Sequence, residues 1–205
     1  MNAHREEHEV EKEKRPEDGA KPQASFWLFL RRSPAILDPI RRLFEPPRRL
    51  IGPYVKNGQV VADLGCGSGY YTLPMAELVG PEGKVYAVDL DGRCIRVLKK
   101  RAAKSGYHNI DAHASSASSV SFIGDGSVDF VLANGLLCSM TDQRQSAVKE
   151  IKRILKPRGQ AYLSLGFAPP LGLVDQAEWE GILGGFRVER GGSFREKWAV
   201  VSRRQ

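Results

Sequence analysis

From Gln59 onward, short apolar runs alternate with longer stretches that place an apolar residue every third or fourth position. Val60–Leu64 predicts a buried strand, and Tyr70–Val79 a helix ended by Gly80-Pro81. Pro74 fits that helix only within its first turn, where the missing N–H costs nothing. Lys84–Val88 predicts a second strand, Arg93–Lys104 a helix with Ile95, Leu98 and Ala102 on one face, and Ile110–Ala114 and Val128–Ala133 two more strands. Gln143–Leu155 predicts a helix with Val148, Ile151 and Leu155 turned inward, stopped by Pro157 and Gly159, and Gln160–Leu165 the fifth strand. Leu173–Leu183 reads as helical. Phe186–Arg190 and Lys197–Ser202 read as two final strands joined through Gly191-Gly192, an antiparallel hairpin at one edge. Such alternation implies an α/β fold with a seven-stranded, mostly parallel sheet and helices on both faces.

The chain ahead of this pattern divides in two. Residues 1–24 hold almost no apolar side chain besides Val10, and Pro16, Gly19 and Pro22 interrupt them. A segment that buries so little cannot offset its ordering entropy, so a loosely ordered charged tail is expected. Residues 25–53 instead carry Phe26-Trp-Leu-Phe-Leu, and Ser33-Pro34 is a good helix start. They predict a short helical lid ahead of a single domain at 54–205, a size that suits one core in a 205-residue chain.

Charge and cysteine content narrow the options. Residues 1–21 carry five Lys or Arg against seven Asp or Glu, so the tail is mildly acidic and the rest of the chain holds +9 against a net charge of +7. A basic surface permits a polyanion or anionic membrane as partner without demanding one. Arginine doublets at 31/32, 41/42 and 48/49 concentrate this charge, and with the apolar cluster at 26–30 they make peripheral membrane contact through 26–50 one expectation to weigh. Docking of those side chains on the chain's own sheet is the simpler alternative. Cys66, Cys94 and Cys138 are too few and too scattered for a disulfide framework or a zinc site. No run spans a bilayer and no secretory signal opens the chain, so a cytoplasmic setting without a metal is expected.

The candidate chemistry lies at Val60-Val-Ala-Asp-Leu-Gly-Cys-Gly-Ser-Gly-Tyr-Tyr. Gly65, Gly67 and Gly69 follow a strand and open a helix, which lets the backbone turn sharply against a ligand. A dinucleotide fingerprint would require glycine at position 70, where tyrosine stands. Asp63, two residues before the first glycine, would repel a pyrophosphate and favour an ammonium or sulfonium group. Asp89 ends the second strand, where an acid takes hydrogen bonds from ribose hydroxyls. Its alternative role is to cap the next helix, for which Asp91 is equally placed.

Asp63-Leu-Gly-Cys-Gly-Ser-Gly, Val88-Asp89, Asp129-Phe-Val-Leu-Ala-Asn and Arg153-Ile-Leu-Lys-Pro-Arg-Gly together resemble the successive motifs of class I, Rossmann-like S-adenosyl-L-methionine-dependent methyltransferases, over roughly 54–165. The resemblance is closest to the small-molecule subgroup of quinone-biosynthesis and arsenite methyltransferases. It implies that Gly65, Cys66, Gly67, Ser68 and Gly69 wrap the methionine part of S-adenosyl-L-methionine, with Asp63 placing its ammonium directly or through water. Asp89 would hold the ribose, and Leu90 would pack near the adenine beside Ser115, Ser116 and Ala117. Asn134 would sit between cofactor and acceptor. Two departures stand out: Ala114-Ser-Ser-Ala-Ser-Ser lacks the acid that such enzymes use for the adenine amino group, leaving a weaker Ser115 or Ser116 hydroxyl or a backbone amide to read it, and Arg158 replaces a usual glycine.

Methyl transfer from a sulfonium needs alignment and exclusion of water, with a base only if the acceptor must lose a proton, so no residue is assigned a catalytic role. His113 and Cys138 are weighed as base and nucleophile, and each is more readily a packing residue. Tyr54, Tyr70, Tyr71, Met140 and Asp142 are candidates for an acceptor pocket by position. The expected function is methylation of a small molecule. The alternatives are an RNA or protein methyltransferase that holds its substrate with the arginine doublets, or a non-catalytic protein that binds S-adenosyl-L-methionine.

Overall fold

The computed structural model describes residues 38–39, 42–43, 45–140, 142–165, 174–193 and 197–204. The tail expected at 1–24, the Phe26–Leu30 cluster, the Ser33-Pro34 helix start and the first arginine doublet lie outside the described residues. A short helix α1 (Pro47–Ile51) leads into β1 (Val60–Leu64), α2 (Thr72–Val79), β2 (Lys84–Asp89), α3 (Gly92–Lys104), β3 (Ile110–Ala114) and β4 (Val128–Asn134). A single 3-10 turn at Leu137–Ser139 precedes α4 (Arg144–Ile154), β5 (Leu155–Ser164), α5 (Gln176–Leu183), β6 (Phe186–Gly192) and β7 (Trp198–Arg203).

The seven strands form one sheet in the order β3-β2-β1-β4-β5-β7-β6. β1 to β5 pair in parallel, and β7 runs antiparallel to both β5 and β6. The chain builds outward in one direction from β1 to β3 and then returns to build the other way from β4. The switch point, where such sheets open a crevice at the carboxyl ends of their strands, therefore lies between β1 and β4.

Periodicity accounts for the helices. α3 buries Ile95, Leu98 and Ala102 as the spacing predicts, and α4 buries Ala147, Val148, Ile151 and Ile154. Pro74 stands in the first turn of α2, which begins two residues later than expected. Two strands differ from expectation. Leu155 leaves α4 and already pairs with Val128, and Lys156–Gly159 bulge before Gln160 pairs with Phe130, so β5 starts five residues early. Gly191-Gly192 do not form the hairpin turn; they pair with Ala199 and Trp198 inside the β6–β7 ladder.

Two of the sequence motifs work as staples away from the carboxyl ends of the strands. Asp129 Oδ2 accepts from the Val60 N–H at 3.0 Å, and Lys156 Nζ donates to Asp129 at 2.8 Å. Arg153 on α4 donates to the Val120 and Ile123 carbonyls at 3.0 and 2.8 Å and pairs with Glu150 and Asp125. Glu150 also accepts from the Val120 N–H at 2.9 Å. Arg153 holds the Glu150 carboxyl below its ordinary value against the opposing effect of burial, with the Val120 N–H helping. The folded protein therefore binds this proton less readily than the unfolded chain. The stabilisation is complete above the ordinary glutamate value and is lost as pH falls through the depressed one. Urea midpoints followed from neutral pH to about pH 3 should fall more steeply in the natural chain than in Glu150→Gln. Equal slopes would exclude Glu150 as a contributor to acid sensitivity.

Candidate functional site

The loop after β1 turns back onto β2: the Gly65 and Cys66 N–H groups both donate to the Val88 carbonyl, at 2.7 and 3.0 Å. Gly67 (φ +53°) and Gly69 (φ +94°) both hold left-handed backbone, for different reasons. A Cβ on Gly69 would lie 2.4 Å from Leu98 Cδ1, so α3 packs directly on that glycine. A Cβ on Gly67 would meet nothing within 4 Å, so this glycine opens onto free space. The free space is a cleft of about 490 Å³, within the usual range for small-molecule sites. It lies at the switch point, bounded by Gly65, Gly67, Asp89, Leu90 and Ser115–Ala117, and by the segment after β4.

Asp89 ties the loop to β2. Its Oδ2 accepts from the Gly67 N–H at 2.8 Å, and its Oδ1 accepts from the Asp91 N–H at 2.8 Å. The cap of α3 is Asp91, which accepts from the Arg93 N–H at 2.9 Å. The helix-capping alternative for Asp89 is thereby removed. Each carboxylate oxygen keeps a second lone pair, so Asp89 can still accept from a diol in the cleft. Leu90 is 79% exposed at the mouth, an apolar platform of the kind a planar base would cover.

Asp63 is only 3% exposed and lies beneath the loop, where its Oδ2 accepts from Thr72 Oγ1 at 2.6 Å. It does not border the cleft, so its field reaches a ligand through the loop rather than by lining the wall. Cys66 reports that field. Burial pushes its thiol well above the ordinary range, and the charges of Asp63 and then Asp89 push it the same way. Both carboxylates thus act on one loop atom, and the loop interior disfavours a further anion. Cys66 packs with Ala87, Ile95 and Leu98, and Ser68, also buried, offers its carbonyl to Arg101 Nη1 at 2.9 Å. Cys66, Ser68, Gly69 and Asn134, all expected near the cofactor, do not line the cleft.

Asn134, at the end of β4, belongs to a directional network beside the cleft. Ser164 Oγ on β5 donates to Asn134 Oδ1, which fixes the amide so that Nδ2 donates to Tyr71 Oη at 2.9 Å and Glu45 Oε1 at 3.0 Å. Tyr71 Oη also donates to Glu45 Oε1, and Tyr70 Oη donates to the Glu45 carbonyl at 2.8 Å. Glu45 precedes the sheet domain by many residues, and no local pattern marked it. Asp38 reaches the same region by pairing with Arg101 at 2.7 Å, the arginine that holds Ser68.

The other candidates separate by contact. Tyr54 stacks on Phe130, with ring centroids 5.3 Å apart. Met140 and Asp142 border the cleft together with Ser115–Ala117. His113 stacks on Phe122 at 3.9 Å and bonds Asp111 at 2.7 Å, which explains it without chemistry. Cys138 Sγ donates to the Gly135 carbonyl in the turn after β4. Residues bordering the cleft that sequence reading did not single out include Cys94, Leu136, Ser139 and Gln143. No group of three or more His, Cys, Asp or Glu among the described residues could hold a metal ion, and no described helix is long and apolar enough to cross a membrane. A larger groove of about 710 Å³ lies beside Lys84 and Asn109, at the opposite, amino-terminal ends of β2 and β3. The glycine loop does not reach it, and α/β sheets place ligands at the carboxyl ends.

Residues 61–159 match the family described as methyltransferase domain. Over 105 residues the chain is 33% identical to a demethylmenaquinone methyltransferase of Geobacillus stearothermophilus, a match covering 51% of this chain and 44% of that protein. It is 31% identical over 121 residues to an arsenite methyltransferase of Aquipseudomonas alcaligenes, covering 56% of this chain and 35% of the relative. The chain thus spans less than half the length of these curated relatives. A solved S-adenosyl-L-methionine-dependent methyltransferase from Aquifex aeolicus superposes with a TM-score of 0.70 at 25% identity, covering 80% of this chain and 95% of the other. With the sheet order, the glycine loop and the acid at the end of β2 already in place, residues 61–159 carry a methyltransferase domain, and the chain has the fold of S-adenosyl-L-methionine-dependent methyltransferases.

Proposed function

We propose that this protein transfers the methyl group of S-adenosyl-L-methionine to a small-molecule acceptor. The observation that carries the reading is the cleft at the switch point, which joins a glycine loop open at Gly67, the two-lobed acceptor Asp89 and the exposed apolar face of Leu90. S-adenosyl-L-methionine, when bound, supplies an electrophilic methyl on a positively charged sulfur. The chain's own residues have to hold the nucleoside, align an acceptor atom and exclude water.

In this reading Asp89 takes the ribose hydroxyls, Leu90 and Ser115–Ala117 flank the base, and the backbone of Gly65–Gly69 follows the amino-acid part. Asp63 acts from below the loop on its ammonium. Because Asp89 puts the ribose over β2, the methyl end extends toward β4. There the Glu45 carboxylate, oriented by Asn134 and Tyr71, is the group that can accept from an acceptor molecule. The relatives' acceptors, demethylmenaquinone and arsenite, support a small molecule. The described residues between Asp38 and Gly52 serve in this reading as part of a lid over that acceptor side, a role favoured by the contacts of Asp38 and Glu45. Arg48 of the third doublet pairs with Glu77 on α2, which leaves less of the cationic face for RNA.

Incubation with methyl-tritiated S-adenosyl-L-methionine and a fractionated metabolite extract should move label into a small organic product. Label that appears only in RNA or protein, or in neither, would contradict the proposed acceptor class.

A further inference from the structure

We infer that Asp142, on the segment between β4 and α4, accepts the hydrogen bond of the adenine amino group and so replaces the acid missing after β3. The inference rests on the nucleoside reading of the cleft. The β3 turn carries only serine and alanine from Ala114 to Ser119, so it offers no carboxylate, and a hydroxyl there is a weaker acceptor than an ionised acid. Ser115 Oγ donates to the Ser119 carbonyl at 3.1 Å, and Ser116 and Ser118 Oγ each lie 2.8 Å from Gln143 Oε1. Those two bonds pin the Asp142-Gln143 segment against the turn where an adenine edge would be read.

Asp142 borders the same cleft as Ser115–Ala117 and is exposed to it. It makes no hydrogen bond or ion pair among the described residues. The other acids around the cleft are engaged: Asp89 holds the Gly67 and Asp91 N–H groups, and Asp91 caps α3 and pairs with Arg93. With the ribose at Asp89, a base extends toward β3, the side on which Asp142 stands. An exocyclic amine is a donor, and an ionised carboxylate only accepts, so the pair is complementary.

The test uses the full chain and two probes, S-adenosylhomocysteine and S-inosylhomocysteine, which carries a carbonyl in place of the amino group. Calorimetric titration of the natural chain should favour the adenosyl compound. Asp142→Ala should weaken adenosyl binding by about 10-fold or more, change inosyl binding little and so collapse the preference. Asp142→Asn, which keeps an acceptor oxygen, should retain part of it. An adenosyl-to-inosyl ratio unchanged in Asp142→Ala overturns the inference while leaving the cofactor reading intact. A natural chain that binds neither probe overturns both.

Discussion

Replacement of Asp89 by alanine is expected to weaken S-adenosyl-L-methionine binding by roughly 1–3 kcal/mol, about 5–150-fold, in calorimetric titration. In the proposed binding mode the direct loss is a charged acceptor for the ribose. A second loss adds to it, because the Gly67 and Asp91 N–H groups both lose their partner and the loop is no longer tied to the end of β2. Asp89→Asn keeps one acceptor oxygen and should fall between the two. The effect on folding should stay near 1 kcal/mol, since Asp89 is half-buried and Asp91 still caps α3. Unchanged affinity in Asp89→Ala would remove this residue from the site.

A large loss of stability is expected at Arg144. It is 3% exposed, although it stands in the first turn of α4, where the helix dipole disfavours a cation and no side chain caps the helix. Its Nε donates to the Leu137 carbonyl at 2.7 Å and its Nη1 pairs with Glu178 on α5, which joins the turn after β4 to two helices. Arg144→Ala leaves a buried carbonyl and a partly buried carboxylate without that donor. A fully buried broken pair costs about 3–5 kcal/mol, and the partial exposure of Glu178 lowers the figure to about 3 kcal/mol. For a domain of this size that is a drop of roughly 6–12 °C in Tm. The turn it holds borders the cleft through Ser139 and Met140, so ligand affinity should fall with stability. A Tm within 2 °C of the natural chain's would show that Arg144 contributes little; that margin corresponds to about 1 kcal/mol or less.

What the sequence made legible was local. Periods of two and of three to four residues located the strands and helices, because burial imposes those periods directly. The glycine loop and Asp89 could be read because their chemistry depends on spacing along one strand–turn–helix unit. Neither Glu45 nor Arg144 could be read that way. Glu45 acquires its meaning 89 residues away at Asn134, and Arg144 acquires its own through a carbonyl and a carboxylate on other elements. The interval of Asp63 from Gly65 set a carboxylate beside the loop, and only the fold adds that the inward face of β1 buries it under the loop against Thr72. The early start of β5 was hidden for a related reason. Pro157 and Gly159 read as a break, and the sheet accommodates that break as a bulge while Leu155 keeps its pair.

The central claim is that a positively charged sulfur nucleoside rests in the bend after β1, with its sugar at Asp89 and its base toward β3. A crystal structure of the full chain grown with S-adenosylhomocysteine tests this most directly. Density is expected over Gly65–Gly69, with both ribose hydroxyls within hydrogen-bond distance of the Asp89 carboxylate. Density elsewhere, or an empty bend at saturating ligand, would contradict it.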